Sequence, residues 1–153
     1  MKEFGLQVCL NNIWNKIISN GKKGLYTWFY IDEFYLLTQT DSSASFLHEC
    51  FKRARKWKGV PTGITQNVSD LMESQIARTI LSNRDFVMML SQAPMDRVEL
   101  AKMFGISQTQ LGYITNADSG QGLIYTGKTI IPFVDKFPVD TKLYRAMSTK
   151  ASE

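Results

Sequence analysis

The run Leu25-Tyr26-Thr27-Trp28-Phe29-Tyr30-Ile31, followed at once by Asp32-Glu33, constrains the fold more than any other part of the chain. Seven aromatic, apolar and β-branched residues are too few for a surface helix and read as a buried strand. A strand that ends in two adjacent acids sets carboxylates at the carboxyl edge of a sheet, where open α/β folds bind their ligands. What surrounds this run supports a layered fold. Upstream, Leu6, Leu10, Ile13, Trp14, Ile17 and Ile18 recur at three- and four-residue steps, and this helix is expected to end at Asn20-Gly21. Downstream, Phe46, Leu47, Cys50, Phe51, Ala54 and Trp57 repeat the helical spacing up to Gly59, and Val60 to Thr65 returns to strand composition. A helix from about Asp70 to Leu81 and a strand over Asp85–Leu90 follow. The alternation predicts βαβ units, a parallel sheet flanked by helices and joined by right-handed crossovers.

Beyond Pro94 the character changes. Asp96-Arg97-Val98-Glu99 and Ser107-Gln108-Thr109-Gln110 read as two capping boxes, each opening a short helix, with Gly105 between them. Gly127-Lys128 reads as the two-residue turn of a hairpin with strands Gly122–Tyr125 and Thr129–Phe133. The last fifteen or so residues read as a frayed tail. At 153 residues one compact domain is the expectation, with 44% apolar and 21% charged residues excluding a disordered chain. The sequence has no stretch of roughly 18 consecutive apolar residues, so a soluble, intracellular body is expected. Cys9 and Cys50 lack metal-ligand spacing and read as reduced structural thiols. A net charge of +4 permits nucleic-acid or anionic-lipid partners without establishing either.

The chemistry concentrates at Asp32 and Glu33. In a Walker B pattern the first acid holds a largely hydrated Mg²⁺ and the second orients or deprotonates the water that attacks a γ-phosphate. The competing reading has Asp32 capping the next helix and Glu33 lying in its first turn. Gln66, in Thr65-Gln66-Asn67 at the end of the next strand, faces the same crevice and suits sensing of a γ-phosphate. That segment also reads as a plain strand-to-helix turn capped by Asn67 or Asp70.

Gly122-Leu123-Ile124-Tyr125-Thr126-Gly127-Lys128-Thr129 spells a phosphate loop, yet its interior residues form strands and Ile130-Ile131-Pro132 follows where a helix should start. It reads as a decoy. Residues 96–114 have the helix-turn-helix pattern, with Gln108, Thr109 and Gln110 placed to read bases, or else form an ordinary helical corner. Lys52, Arg53, Arg55, Lys56 and Lys58 make the richest basic cluster, either a solvated face or a contact with nucleic acid or a subunit.

Taken in order, Tyr30-Ile31-Asp32-Glu33-Phe34, Lys52-Arg53-Ala54-Arg55-Lys56, Gly63-Ile64-Thr65-Gln66-Asn67-Val68 and Gly122-Leu123-Ile124 resemble the C-terminal region of the CagE/TrbE/VirB type IV secretion ATPases. The resemblance runs from about Asn11 to Phe133. It implies an α/β, partial RecA-like P-loop NTPase fold with a parallel core and a C-terminal hairpin, lacking the Walker A segment. Residues 1–135 would be the second half of the ATPase domain and 136–153 a tail. It implies a hexameric, Mg-ATP-driven motor at the inner face of the membrane, peripheral through other secretion or conjugation subunits, moving DNA or protein. Asp32 would match the Mg²⁺ acid, Glu33 the catalytic base and Gln66 the sensor, with Arg78 and Arg84 as candidates for an arginine acting across a subunit boundary. The phosphate loop is missing, so this chain alone is expected to be inactive. The alternatives are a helix-turn-helix DNA-binding protein and a non-catalytic secretion adaptor.

Overall fold

A computed structural model describes residues 2–66 and 68–148. The chain forms two compact units, Met1–Arg84 and Asp85–Glu153.

In the first unit, α1 (Lys2–Lys22) buries Leu10 and Ile17 and runs past Asn20, closing on Gly24 at φ +78°. Strand β1 (Thr27–Ile31) leads into a 3₁₀ turn (Phe34–Thr38), then α2 (Asp41–Arg53). Ser43, Ala44, Leu47 and Cys50 form the buried stripe of α2, while Asp41 in its first turn and Lys52 and Arg53 in its last complement the helix dipole. A second 3₁₀ turn (Ala54–Trp57) delivers the chain to β2 (Gly59–Gly63), which pairs parallel with β1 in the register Thr27↔Gly59 to Ile31↔Gly63. Gly59 is required there, because a Cβ would lie 2.9 Å from the Ile17 side chain. The single helix expected over 70–81 is two: α3 (Val68–Glu73) and α4 (Gln75–Ser82). The break is Ser74, whose Oγ accepts the Ala77 N–H at 3.2 Å and so starts a new helix. Ile31, Phe34, Leu47, Leu71, Ala77 and Ile80 make the core of this unit.

The parallel pair bears out the α/β reading, but β1 is not buried on both sides. Trp28 and Tyr30 are each 62% exposed, alternating with half-buried Phe29 and buried Ile31. Only the Phe29 and Ile31 face meets the core.

In the second unit, β3 (Phe86–Met89) departs from the expected parallel arrangement. It pairs antiparallel with β4 (Gln121–Thr126), which pairs antiparallel with β5 (Thr129–Val134). A four-residue apolar run carries no signal of direction. The hairpin fixes it, offering the free edge of β4, where Gly122 sits so close that a Cβ would overlap the Met89 carbonyl. The Gly127-Lys128 turn is as read, with Gly127 at φ +64°. Between β3 and β4 lie α5 (Pro94–Phe104) and α6 (Gln108–Thr115). The capping box at Ser107 and Gln110 is present. The one expected at Asp96 is not: α5 begins two residues earlier, where Pro94 suits the first helical position. The expected tail contains a short helix, α7 (Lys142–Met147), capped by Thr141, whose Oγ1 accepts the Tyr144 N–H at 3.1 Å.

Candidate functional site

The carboxyl ends of β1 and β2 form one edge. Ladder bonding continues past both strands: the Ile64 N–H donates to the Ile31 carbonyl at 2.8 Å, and the Phe34 N–H to the Ile64 carbonyl at 2.9 Å. These bonds tie the residues flanking Asp32-Glu33 to the segment that leads to Gln66. Between them Glu33 adopts a left-handed backbone, φ 48° and ψ 46°, a conformation that costs a non-glycine residue about 1–2 kcal/mol. Strain of this kind concentrates where a surrounding structure enforces it for use.

Asp32 is exposed, and its Oδ1 accepts the Glu33 N–H at 3.0 Å. Glu33 is half-buried, and its Oε1 accepts a hydrogen bond from Gln66 Nε2 at 3.1 Å. Neither acid follows the alternative helix-capping reading: Glu33 occupies the cap position of the 3₁₀ turn without a side-chain bond to it. Thus the structure brings together three residues singled out from sequence, two of them 33 positions apart. Asn67, the alternative cap of the next helix, lies outside the described residues, as does the side chain of Asp70.

Sequence reasoning used Gly63 only as part of a motif and gave it no packing role. A Cβ there would stand 2.8 Å from Phe34 Cγ, so only glycine lets the ring of Phe34, the residue after the two acids, keep its buried place in the core. The signal available was a lone glycine at the end of a strand.

Arg78 is engaged locally, donating to the Met72 carbonyl at 2.7 Å and to Gln75 Oε1 at 2.6 Å. Arg84 donates to the Leu81 carbonyl at 2.7 Å. Of the basic cluster, Arg53 pairs with Glu49 at 3.2 Å and lies 6.0 Å over the Trp14 ring, and Arg53, Arg55, Lys56 and Lys58 are all exposed. The eight residues that spell a phosphate loop belong to β4, its turn and β5. In the region with the helix-turn-helix pattern, α6 buries Ile114, whose carbonyl accepts the Gln92 N–H at 3.0 Å.

The donor set at the edge is hard oxygen. Among the described residues no group of three or more His, Cys, Asp and Glu could hold a metal, so an all-protein cage is out of reach. An exposed carboxylate with one oxygen already bonded suits a cation that keeps most of its waters, as Mg²⁺ does. Asp32 stands exposed at this edge, and two clefts of about 380 and 310 Å³ are lined by other residues.

The sequence model of the TraG P-loop domain matches residues 8–130. The chain belongs to the TraG P-loop domain family. Among solved structures, that of VirB4 of Thermoanaerobacter pseudethanolicus is similar to this chain at 28% identity and a TM-score of 0.68, over 74% of this chain and 31% of that one. The chain therefore spans under a third of the length of that relative. No curated protein matches it. The likeness to type IV secretion ATPases and the P-loop NTPase class of the fold hold. The family match also takes in residues 96–114, so both helices of the helix-turn-helix pattern lie inside a P-loop domain. No helix among the described residues is long and apolar enough to cross a membrane.

Proposed function

We propose that this TraG-family chain supplies the hydrolytic edge of an ATP-driven motor for type IV secretion or conjugal transfer. The observation that carries the proposal is the 3.1 Å hydrogen bond between Glu33 and Gln66 at the carboxyl ends of adjacent parallel strands. In this reading residues 1–135 are the second half of a RecA-like ATPase domain and 136–153 its tail. Asp32 would hold Mg²⁺ through water, and the ion, when bound with nucleotide, would supply positive charge against the phosphates. Glu33 accepts the proton of the attacking water, while Gln66 holds the Glu33 carboxylate and donates an N–H towards a γ-phosphate. Such a division needs one carboxylate with free access to solvent and a second held in a fixed direction. Exposed Asp32 and hydrogen-bonded Glu33 match it.

The phosphate-binding loop would come from elsewhere in the motor, since the Gly127-Lys128 match is a hairpin turn. Arg78 or Arg84 would reach a neighbouring subunit's nucleotide only after leaving its present carbonyl partner. The working assembly is a hexamer, peripheral to the inner face of the membrane through other secretion subunits, and the cargo is DNA or protein.

The test is Mg²⁺-dependent ATP hydrolysis by the assembled motor containing this segment, parent against Glu33→Gln. Loss of a general base lowers the rate about a hundredfold or more. Unchanged hydrolysis removes Glu33 from the chemistry and leaves a secretion adaptor as the better account.

A further inference from the structure

Charge is unevenly distributed along this chain. Residues 4–31 and 50–69 hold eight Lys and Arg and no Asp or Glu, whereas the remainder is net acidic despite a total of +4. The fold joins the two segments. The end of α1 packs against the second 3₁₀ turn so closely that a Cβ on Gly21 would overlap the Trp57 carbonyl. The Thr27 N–H donates to the Lys58 carbonyl at 3.0 Å, and Lys58 Nζ donates to the Gly24 carbonyl at 3.0 Å. Lys22 and Lys23, 30 or more positions away in sequence, thereby join exposed Arg55, Lys56 and Lys58 at the amino ends of β1 and β2. This is the sheet edge opposite Asp32 and Glu33, roughly 15 Å away at about 3.3 Å per strand residue. The hydrolytic reading has no use for it.

Aromatic rings are interleaved with the cations. Lys58 Nζ lies 5.5 Å over the ring of Tyr26, which is 67% exposed, and Lys56 Nζ lies 5.5 Å over the ring of half-buried Trp57. Cations beside exposed rings are what a single-stranded nucleic acid needs, because phosphates pair with the charges and unstacked bases lie on the rings. A duplex would satisfy the charges and leave the rings unused. An anionic membrane would favour an amphipathic helix with a broad apolar face, which a strand edge does not offer.

We propose that the amino edge of the β1–β2 sheet, through Lys22, Lys23, Arg55, Lys56, Lys58 and Tyr26, binds single-stranded nucleic acid. The site is independent of nucleotide hydrolysis, and its test contains no ATP. The probe is a fluorescein-labelled 15-nucleotide thymidine oligomer, followed by anisotropy over a salt series with the full chain. Four or five phosphate contacts give a log–log salt slope of about −3, at about 0.7 per contact on a single strand. The Arg55→Ala/Lys56→Ala double variant weakens binding about tenfold at low salt and reduces the slope by about 1.4. Tyr26→Ala weakens binding about tenfold and leaves the slope unchanged, the mark of lost stacking rather than lost charge. A Lys128→Ala/Lys136→Ala control, in the second unit, binds as the parent does. The proposal is overturned if the Arg55/Lys56 variant binds like the parent, or if the control loses as much affinity. It also fails if phosphatidylserine vesicles, and not the oligomer, respond to the Arg55/Lys56 change. Arg55 and Lys56 are exposed, so that variant decides the matter even if Tyr26→Ala fails to fold.

Discussion

Glycine at position 33 should be more stable than alanine there, although glycine ordinarily weakens a fold. Both substitutions remove the Glu33 carboxylate and with it the bond from Gln66, so their difference isolates the backbone. At φ 48° and ψ 46° alanine keeps the left-handed penalty of about 1–2 kcal/mol, which glycine does not incur. Against this, glycine gives the unfolded chain additional freedom worth about 0.4–1 kcal/mol. The net expectation favours glycine by about 0.5–1 kcal/mol. All three tryptophans, Trp14, Trp28 and Trp57, lie in the unit Met1–Arg84, so tryptophan fluorescence in urea reports that unit alone. With a slope of about 1–2 kcal/mol per molar urea, the glycine variant's midpoint should be higher by about 0.5 M. Equal midpoints, or a higher midpoint for alanine, would show that the backbone at Glu33 is not strained and would remove one argument for a site shaped by function.

Leu47 is fully buried in the α2 stripe, so Leu47→Ala should destabilise the first unit by about 2–5 kcal/mol in the same fluorescence assay. Desolvation by burial pushes the Cys50 thiol from its ordinary 9.0 up to about 11. The folded pKa is raised, so the stabilisation it carries is complete below pH 9 and is lost as pH rises towards 11, a loss of about 2 kcal/mol by the upper limit. Urea midpoints at pH 8 and 10.5 should separate the parent from Cys50→Ala by that pH dependence; identical slopes with pH would refute it.

How much could be read from sequence depended on the length scale over which each feature is determined. The Ser107–Gln110 cap and the Gly127 turn depend on residues within a few positions of one another, and each is as expected, whereas the helix expected to run up to Gly59 ends at Arg53 and tightens into the 3₁₀ turn Ala54–Trp57, with Leu47 and Cys50 of its expected stripe buried in α2. Strand direction depends on a distant partner. Nothing in Phe86–Met89 indicates that its neighbour is the antiparallel β4, and nothing in Trp28 or Tyr30 indicates that their side of the sheet is exposed in this chain. The helix break at Ser74 was hidden for another reason: Ser74 is a good cap placed inside an unbroken helical periodicity, and the cap prevailed. At the site, the residue types of Asp32, Glu33 and Gln66 were legible. That they share one strand edge was legible too; the direct Gln66–Glu33 hydrogen bond was not, because it depends on the parallel register Ile31↔Gly63 and on the left-handed turn at Glu33.

The left-handed turn at Glu33 explains how two consecutive acids can serve one edge. Along an extended strand, neighbouring side chains point to opposite faces, so an Asp-Glu pair continuing the geometry of β1 would divide between the two sides of the sheet. Ending the extended conformation at Glu33 turns the chain into the 3₁₀ turn, while the Phe34 N–H bond to the Ile64 carbonyl keeps it against the neighbouring segment. Glu33 can then reach across to Gln66, and Asp32 stays exposed at the end of its own strand. Gly63 is a condition of that geometry, because a side chain there would displace the buried ring of Phe34, the first residue of the turn. The strain at one residue, the glycine against Phe34 and the cross-strand hydrogen bond are thus parts of a single arrangement, and a change at any of them should be felt at the carboxylates.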